Sequence, residues 1–237
     1  MVYTARMLAC LYDVHGNLPA LEAVLDDAFE HGATRFVLGG DYALFGGWPA
    51  ETVARLQELE NALWIRGNGE RWTAAPDEAP EYLVRVGAIA FTRTQLGDDL
   101  VARMADIAAL AHDRDALICH GSPPSDVRSF LPEPADDEAE LLDGVRHARV
   151  IFAHTQLPFR RVSDVRGIEL VNPGSVGMPF DGDTRASYAF VEPHGAVEHR
   201  RVAYDVGAAV ARVRSVGEQW CETVARRIEQ ASFAPAG

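Results

Sequence analysis

The stretch that decides the fold is residues 6–17, which read RMLACLYDVHGN. Its first seven residues are mostly apolar and end at Asp13, as expected of a short buried β-strand that runs into a polar loop. Residues 18–31 follow with apolar side chains at helical spacing and stop before Gly32. The sequence therefore predicts a strand, a loop that carries Asp13 and His15, and a helix.

The same alternation of an apolar run and a polar end continues along the chain. Residues 35–40, 63–66, 116–119 and 150–153 are predicted to be strands, and residues 49–59 a helix. Each of these strands ends beside a residue of a metal-ligating type, and in chain order these residues are Asp41, Asn68, His120 and His154. Strands that alternate with helices in this way indicate an α/β fold.

The other segments follow less regular patterns. Residues 79–110 are predicted to be mostly helical with a break near Gly97, the proline-rich segment 122–137 to be a surface loop, and residues 138–145 to be a short helix. Closely spaced antiparallel strands are predicted over residues 159–165, 168–171, 187–191 and 197–204. A last helix is predicted over about 206–230. No internal repeat or linker divides these elements, so the chain 1–237 is predicted to be a single domain.

The charge balance excludes several classes of function. The chain has 237 residues, of which 48% are hydrophobic and 24% charged, which is typical of a globular protein. Its 35 acidic and 22 basic residues give a net charge of -13, which argues against binding to duplex nucleic acid. All 22 basic residues are arginine, so mechanisms that need a Schiff-base or P-loop lysine are excluded.

Cysteine usage and hydropathy bear on the protein's location. Three cysteines without paired spacing, Cys10, Cys119 and Cys221, favour a reducing compartment over a disulfide framework. No apolar run reaches the roughly 18 residues needed to span a membrane, and the first dozen residues do not form a signal peptide. We therefore expect a cytoplasmic protein with no membrane partner, and the sequence leaves open whether it forms a homo-oligomer.

Six polar residues are expected to share one edge of the structure. In open α/β sheets, the ligand site lies outside the carboxyl ends of the strands. The residues predicted to lie there are Asp13, His15, Asp41, Asn68, His120 and His154. Each alone has an ordinary explanation, such as a turn for Asn68 between two glycines. Their occurrence at successive strand ends instead predicts a metal site.

In this order, the motifs resemble the calcineurin-like metallophosphoesterase superfamily, particularly its small bacterial phosphodiesterase branch, over roughly residues 6–204. The blocks that carry the resemblance are Asp13-Val14-His15-Gly16-Asn17, Gly40-Asp41, Gly67-Asn68, His120-Gly121-Ser122-Pro123, His154-Thr155-Gln156 and Asn172-Pro173-Gly174-Ser175. The resemblance implies a four-layer sandwich, in which two mixed β-sheets are flanked by helices.

The resemblance also implies two divalent metal ions, bridged by Asp41 and a hydroxide that attacks the phosphorus. One metal would take Asp13 and His15, and the other would take Asn68, His120 and His154. Catalysis would then depend on Asp41, Asn68 and His154. Carboxylate, amide and imidazole ligands without thiolate favour manganese, with iron and zinc as alternatives.

Two positions depart from the family's pattern. Gln156 stands where relatives place a histidine ligand of the first metal, and an amide oxygen binds a transition metal more weakly than imidazole does. Gly69 and Glu70 stand where many relatives have a histidine that protonates the leaving group. Without that acid, phosphodiesters and phosphoanhydrides are expected to be better substrates than alkyl monoesters.

The function predicted on this basis is the metal-dependent hydrolysis of small phosphorylated or nucleotide-like substrates. Asn17 and Arg66 are candidates to contact the substrate phosphate, Arg66 because a guanidinium matches phosphate geometry. The alternative is a catalytically weak scaffold or binding protein of the same fold, which Gly69 and Gln156 favour. A metal sensor or storage protein is a third possibility that no sequence feature supports.

Overall fold

Two mixed five-stranded β-sheets form the centre of the protein. A computed structural model describes residues 7–82, 87–192 and 195–233. The first sheet contains β1 (Met7–Leu11), β2 (Ala33–Leu38), β3 (Ala62–Trp64), β9 (Ala186–Val191) and β10 (Val197–Val202). Its strand order is β10-β9-β1-β2-β3. The strands β1, β2 and β3 are parallel, and β9 is antiparallel to both β1 and β10.

The second sheet packs against the first. It contains β4 (Leu110–Asp113), β5 (Ala116–Cys119), β6 (Arg149–Ile151), β7 (Phe159–Val162) and β8 (Glu169–Asn172), in the order β4-β5-β6-β8-β7. The strands β5, β6 and β8 are parallel, while β4 and β7 run antiparallel to their neighbours. Parallel strands end at the same edge of a sheet, so the loops that follow β5 and β6 lie together.

Helices and loops cover the outer faces of both sheets. The helices are α1 (Leu18–Glu30), α2 (Pro49–Gln57), α3 (Asn68–Ala74), α4 (Ala88–Leu96), α5 (Asp98–Ala105), α6 (Glu138–Leu141), α7 (Val206–Ser215) and α8 (Cys221–Gln230), with a 3₁₀ turn at Pro76–Glu78. Asn17 caps α1, and this helix buries Leu21, Val24 and Leu25 against the first sheet. Among the described residues, no helix is long and apolar enough to cross a membrane.

The layer between the two sheets is apolar and closely packed. Residues such as Cys10, Val37, Ile118 and Ile151 meet there, and the Tyr12 hydroxyl donates a hydrogen bond to the Ile151 carbonyl at 3.2 Å. This bond joins the segment after β1 to the second sheet. The predicted sandwich of two mixed sheets flanked by helices is therefore confirmed.

Three details of the predicted secondary structure are wrong. Residues 79–110 contain α4 and α5, which are separated near Gly97 as expected, but Leu110 begins strand β4 instead of ending a helix. Residues 83–86 of this segment lie outside the described ranges. The single helix predicted over 206–230 is two helices, because Gly217 adopts a left-handed φ of 77° between them. Strand β8 is parallel to β6 as well as antiparallel to β7, because it inserts between them.

Candidate metal centre

The structure brings the predicted ligands together at one end of the sandwich. Their side chains form two groups of possible metal ligands whose donor atoms lie within 4.8 Å of one another. One group is Asp13, His15 and Asp41, and the other is Asp41, His120 and His154. Asp41 belongs to both groups, which is the arrangement expected of a carboxylate shared by two adjacent cations.

The backbone of these loops is held in an unusual conformation. Of the nine described non-glycine residues with a left-handed φ, five are candidate ligands, namely Asp13 (51°), His15 (48°), Asp41 (56°), His154 (67°) and Gln156 (60°). Such values cost energy in non-glycine residues and persist where surrounding contacts enforce them. Here, for example, the His15 amide donates to the Asp41 carbonyl at 2.9 Å. The strain is concentrated at the candidate ligands.

Asp13 and His15 direct free lone pairs into the centre. Asp13 is fully buried, and its Oδ2 accepts a hydrogen bond from the His154 amide at 3.2 Å, whereas its Oδ1 has no hydrogen-bond partner. His15 Nδ1 lies 2.9 Å from the Leu44 carbonyl, which fixes the proton on Nδ1 and leaves Nε2 unprotonated. The Asp13 Oδ1 to His15 Nε2 distance is 3.7 Å. Two acceptors therefore face the same space.

His120 and Asp41 repeat this arrangement in the second group. His120 Nδ1 lies 2.8 Å from the Gly39 carbonyl, which leaves Nε2 unprotonated and 3.5 Å from Asp41 Oδ1. The same Asp41 oxygen accepts a hydrogen bond from the Gly69 amide at 2.6 Å. A Cβ atom at Gly67 would lie 2.4 Å from Asp41 Oδ1, so only glycine allows this close approach.

The Asn68 amide faces three hydrogen-bond acceptors. The Asp126 carbonyl, His154 Nδ1 and His120 Nε2 lie 3.1, 2.8 and 3.1 Å from the amide atom turned toward them. When that atom is the nitrogen, its two N–H groups can donate to two of these three acceptors at a time. When it is the oxygen, it faces the unprotonated His120 Nε2, and this pair of acceptors is favourable only if a cation lies between them. A half-turn of the amide exchanges the two arrangements.

Burial controls the charge of these groups. Burial raises the pKa of Asp13 well above its ordinary value, with Asp41 adding to the effect, and raises the pKa of Asp41 to about 6. Burial also lowers the pKa of His15 to about 3 and that of His154 to about 4. The imidazoles are therefore neutral, and the carboxylates have no nearby cationic histidine to compensate them. Divalent cations would supply the missing positive charge, so these residues fit a metal centre.

The thiol nearest in sequence to the centre is not part of it. Cys119 precedes His120, but it lies with Leu117, Phe130 and Phe152 in the core on the outer face of the second sheet. Successive side chains in a strand point to opposite faces, which explains the separation. Cys119 therefore lies on the face of the sheet opposite to the candidate ligands.

Glu70 holds the backbone next to the candidate ligands through hydrogen bonds, a role that was not predicted from the sequence. Its carboxylate accepts three backbone hydrogen bonds of 2.9 Å, from the amides of Gly67, Asp41 and Tyr42. Burial and the neighbouring Asp41 raise the pKa of Glu70 to about 7. The available signal was its position three residues after Gly67, where a glutamate often caps a helix. Glu70 thus joins the loop after β2 to the start of α3.

Gln156 also reaches the centre. Its Nε2 lies 3.0 Å from His15 Nε2, while its Oε1 is buried without a hydrogen-bond partner. Turning the amide around would place the oxygen beside the same imidazole lone pair. Gln156 is therefore placed to add one more ligand to the Asp13 and His15 group.

The two residues predicted to contact substrate have partners within the fold. Asn17 donates to the Gly177 carbonyl at 2.8 Å and accepts from the Ala20 amide at 3.3 Å, so its side chain caps α1 and anchors a neighbouring loop. Arg66 donates to the Ala105 carbonyl at 2.7 Å and lines a cavity that His120 also borders. The contacts of Asn17 and Arg66 with substrate stay predictions.

A cleft of about 510 Å³ opens over the metal-ligating residues. Its lining residues are His15, Asp41, Phe45, Asn68, Trp72, Tyr82, His154, Thr155, Gln156, Leu157, Met178, Phe180, Arg227 and Phe233. The aromatic residues and Arg227 were not predicted from the sequence, because they come from segments far apart in the chain that carry no motif. A cleft of this volume is within the range of small-molecule sites.

This geometry agrees with the comparison of the chain with known families. Residues 7–195 match the calcineurin-like phosphoesterase superfamily domain. The chain belongs to this superfamily. The predicted resemblance is thereby confirmed, and the phosphoesterase assignment and the expectation of divalent metals now rest on membership of the superfamily.

Several relatives within the superfamily match most of the chain. An uncharacterized protein of Methanocaldococcus jannaschii is 28% identical over 229 residues, which cover 87% of this chain and 91% of that protein. Phosphodiesterase YfcE of Escherichia coli K12 is 29% identical over 192 residues, covering 76% of this chain and 84% of the enzyme.

Solved structures resemble the whole fold. A metallophosphoesterase from Sphaerobacter thermophilus superposes with a TM-score of 0.80 at 28% identity, covering 96% of this chain and 100% of that one. A protein from Pyrococcus horikoshii has a TM-score of 0.82 at 21% identity, covering 96% and 99% of the two chains, and this likeness concerns the fold alone.

Proposed function

We propose that the protein hydrolyses phosphodiester or phosphoanhydride bonds in small phosphorylated substrates. The observation that carries the proposal is the pair of ligand groups that share Asp41 at the floor of the cleft. Two divalent ions held there would lower the pKa of a water between them to give a hydroxide nucleophile and would neutralise charge on the phosphoryl oxygens. Membership of a phosphoesterase superfamily supports the same reaction.

The residues of the chain divide this work between them. Asp13 and His15, with Gln156, would hold one ion, and Asn68, His120 and His154 the other, with Asp41 between them. Glu70 positions the Asp41 backbone through its hydrogen bond to that amide. The hydrogen bonds from His15 to Leu44 and from His120 to Gly39 keep both Nε2 atoms unprotonated, which is the form that binds a metal.

Gly69 and Glu70 stand where many relatives have a histidine acid, and this difference is the reason to expect a preference for good leaving groups. Glu70 is 3% exposed and accepts three backbone hydrogen bonds, so its carboxyl group is turned away from the cleft. A phosphodiester with an aryl leaving group, or a phosphoanhydride, needs little proton donation as the bond breaks. These classes of substrate therefore suit the site.

Metal identity and location belong to the same proposal. The oxygen and imidazole donors favour manganese, with iron and zinc as alternatives. The cysteines Cys10, Cys119 and Cys221 are free and buried, which supports a cytoplasmic location, where thiols stay reduced.

The test is hydrolysis of bis(4-nitrophenyl) phosphate by the full chain after metal removal and reloading with manganese, iron or zinc. We expect metal-dependent release of 4-nitrophenolate. The variant Asp41→Asn should be inactive, whereas Asp143→Asn, which alters an acid that is 83% exposed and paired with Arg166, should match the wild type. Full metal loading without hydrolysis of any phosphoester would favour the alternative of a scaffold or binding protein.

A further inference from the structure

Arg227 occupies an unusual position in the cleft. It lies on α8, and of the described residues that line the cleft it alone carries a permanent positive charge. Its guanidinium carbon is 4.3 Å from the centre of the Phe233 ring and 6.0 Å from that of Phe180. Its Nε is buried and has no hydrogen-bond partner among the described residues.

Neighbouring arginines behave differently. Arg226 donates to Glu222 at 3.1 Å, and Arg214 is bonded to both Glu222 and Glu229 on the exposed side of α7 and α8. Within the described ranges, no carboxylate forms an ion pair with Arg227, although the chain has 35 acidic residues. A buried N–H without an acceptor is unfavourable, so this position favours a ligand that supplies an acceptor.

Arg227 shares its cleft with the candidate metal ligands. The ligands that line this cleft are His15, Asp41, Asn68, His154 and Gln156. The Phe45 ring lines the cleft, with its centroid 6.1 Å from that of the His15 imidazole. The cleft therefore joins the metal-ligating residues to an arginine surrounded by aromatic side chains.

We propose that Arg227 binds a second anionic group of the substrate, distinct from the phosphate at the metal centre, while aromatic side chains of the cleft pack against a base. The substrate class is then a nucleoside di- or polyphosphate or its ester. This inference rests on the proposed phosphoesterase function and deepens it. A guanidinium presents paired donors that match phosphate oxygens, and bases stack favourably on aromatic side chains.

Binding measurements test the inference without turnover. The metal-loaded full chain is titrated with α,β-methylene-ADP, methylenediphosphonate and adenosine, and binding is followed by tryptophan fluorescence because Trp72 lines the cleft. In Arg227→Gln, we expect the affinity for the first two probes to fall about 10- to 100-fold, the usual loss for a charged hydrogen bond. The affinity for adenosine should change less than about 3-fold.

The matched control is Arg226→Gln, which alters the adjacent arginine on the exposed side of α8 and should bind all three probes as the wild type does. The second variant, Arg227→Lys, keeps the charge and should lose less affinity than Arg227→Gln. Thermal unfolding of each variant shows whether it is folded. Equal binding of α,β-methylene-ADP by folded wild type and by both Arg227 variants would overturn the inference.

Hydrolysis separates this inference from the proposed function. With bis(4-nitrophenyl) phosphate, which carries no second anionic group, Arg227→Gln should lose less kcat/KM than with a dinucleoside polyphosphate, for which its KM should rise, and Arg226→Gln should match the wild type on both substrates. An equal loss on both substrates would contradict the assigned role of Arg227. If the metal-loaded wild type hydrolyses neither substrate, the proposed function fails, whatever the binding data show.

Discussion

Replacing Gln156 with histidine should strengthen metal binding at the Asp13 and His15 group. The Gln156 amide lies 3.0 Å from His15 Nε2, so a side chain at this position reaches the space where a cation would meet that lone pair. Histidine tolerates the left-handed backbone at this residue, where φ is 60°. Exchanging a weak amide ligand for imidazole should tighten manganese binding about 10- to 100-fold, or about 1.4–2.8 kcal/mol.

The assay is a manganese titration of the hydrolysis rate for wild type and Gln156→His, with bound metal measured by equilibrium dialysis. The half-saturating concentration should fall in the histidine variant, and activity at low manganese should rise. Gln156→Leu is the opposite control, because it removes the amide oxygen and should raise the half-saturating concentration. The same half-saturation in all three proteins would show that Gln156 is not a metal ligand.

Three further predictions concern leaving group, stability and pH. Bis(4-nitrophenyl) phosphate should be cleaved faster than 4-nitrophenyl phosphate at saturating manganese, and a strong monoester preference would indicate a proton donor near the centre. Glu70→Gln should lower the free energy of unfolding in urea by about 1–3 kcal/mol, because the amide nitrogen cannot accept from all three backbone amides; an unchanged urea midpoint would contradict this role. Arg200 holds the pKa of Asp27 below its ordinary value. The Asp27 carboxylate therefore stabilises the fold at pH values above the ordinary pKa, and this contribution is lost as the pH falls through the lowered pKa. The difference in free energy of unfolding between wild type and Asp27→Asn, measured in urea, should therefore be smaller at about pH 3 than at about pH 5. A larger difference at pH 3 would be inconsistent with this ion pair.

The parts of the fold that could be predicted from sequence are those set by local pattern. The apolar run before Asp13 and the helical spacing after Asn17 are local signals, and β1 and α1 lie where they indicated. Strand β4 was missed because Leu110–Asp113 is half-exposed at a sheet edge and has no continuous apolar run. The position of β8 between β6 and β7 depends on pairing across the chain, which local pattern does not encode.

The candidate site shows the same division. The ligand types were visible because each follows a predicted strand, and the fold then places them within one centre. The charge of the centre could not be predicted from the sequence, because it depends on burial, which raises the pKa of Asp41 and lowers the pKa of His15. Arg227 was also missed, since it reaches the cleft from α8 through tertiary packing alone.

The most direct test of the central claim is the number of metal ions bound per chain. After reloading the metal-free protein with manganese and removing the excess, elemental analysis should find two ions per wild-type chain. Asp41→Asn should lose metal from both positions, because its carboxylate belongs to both ligand groups, and should lose hydrolysis with it. Two ions in Asp41→Asn together with wild-type turnover would contradict a centre built around a shared Asp41.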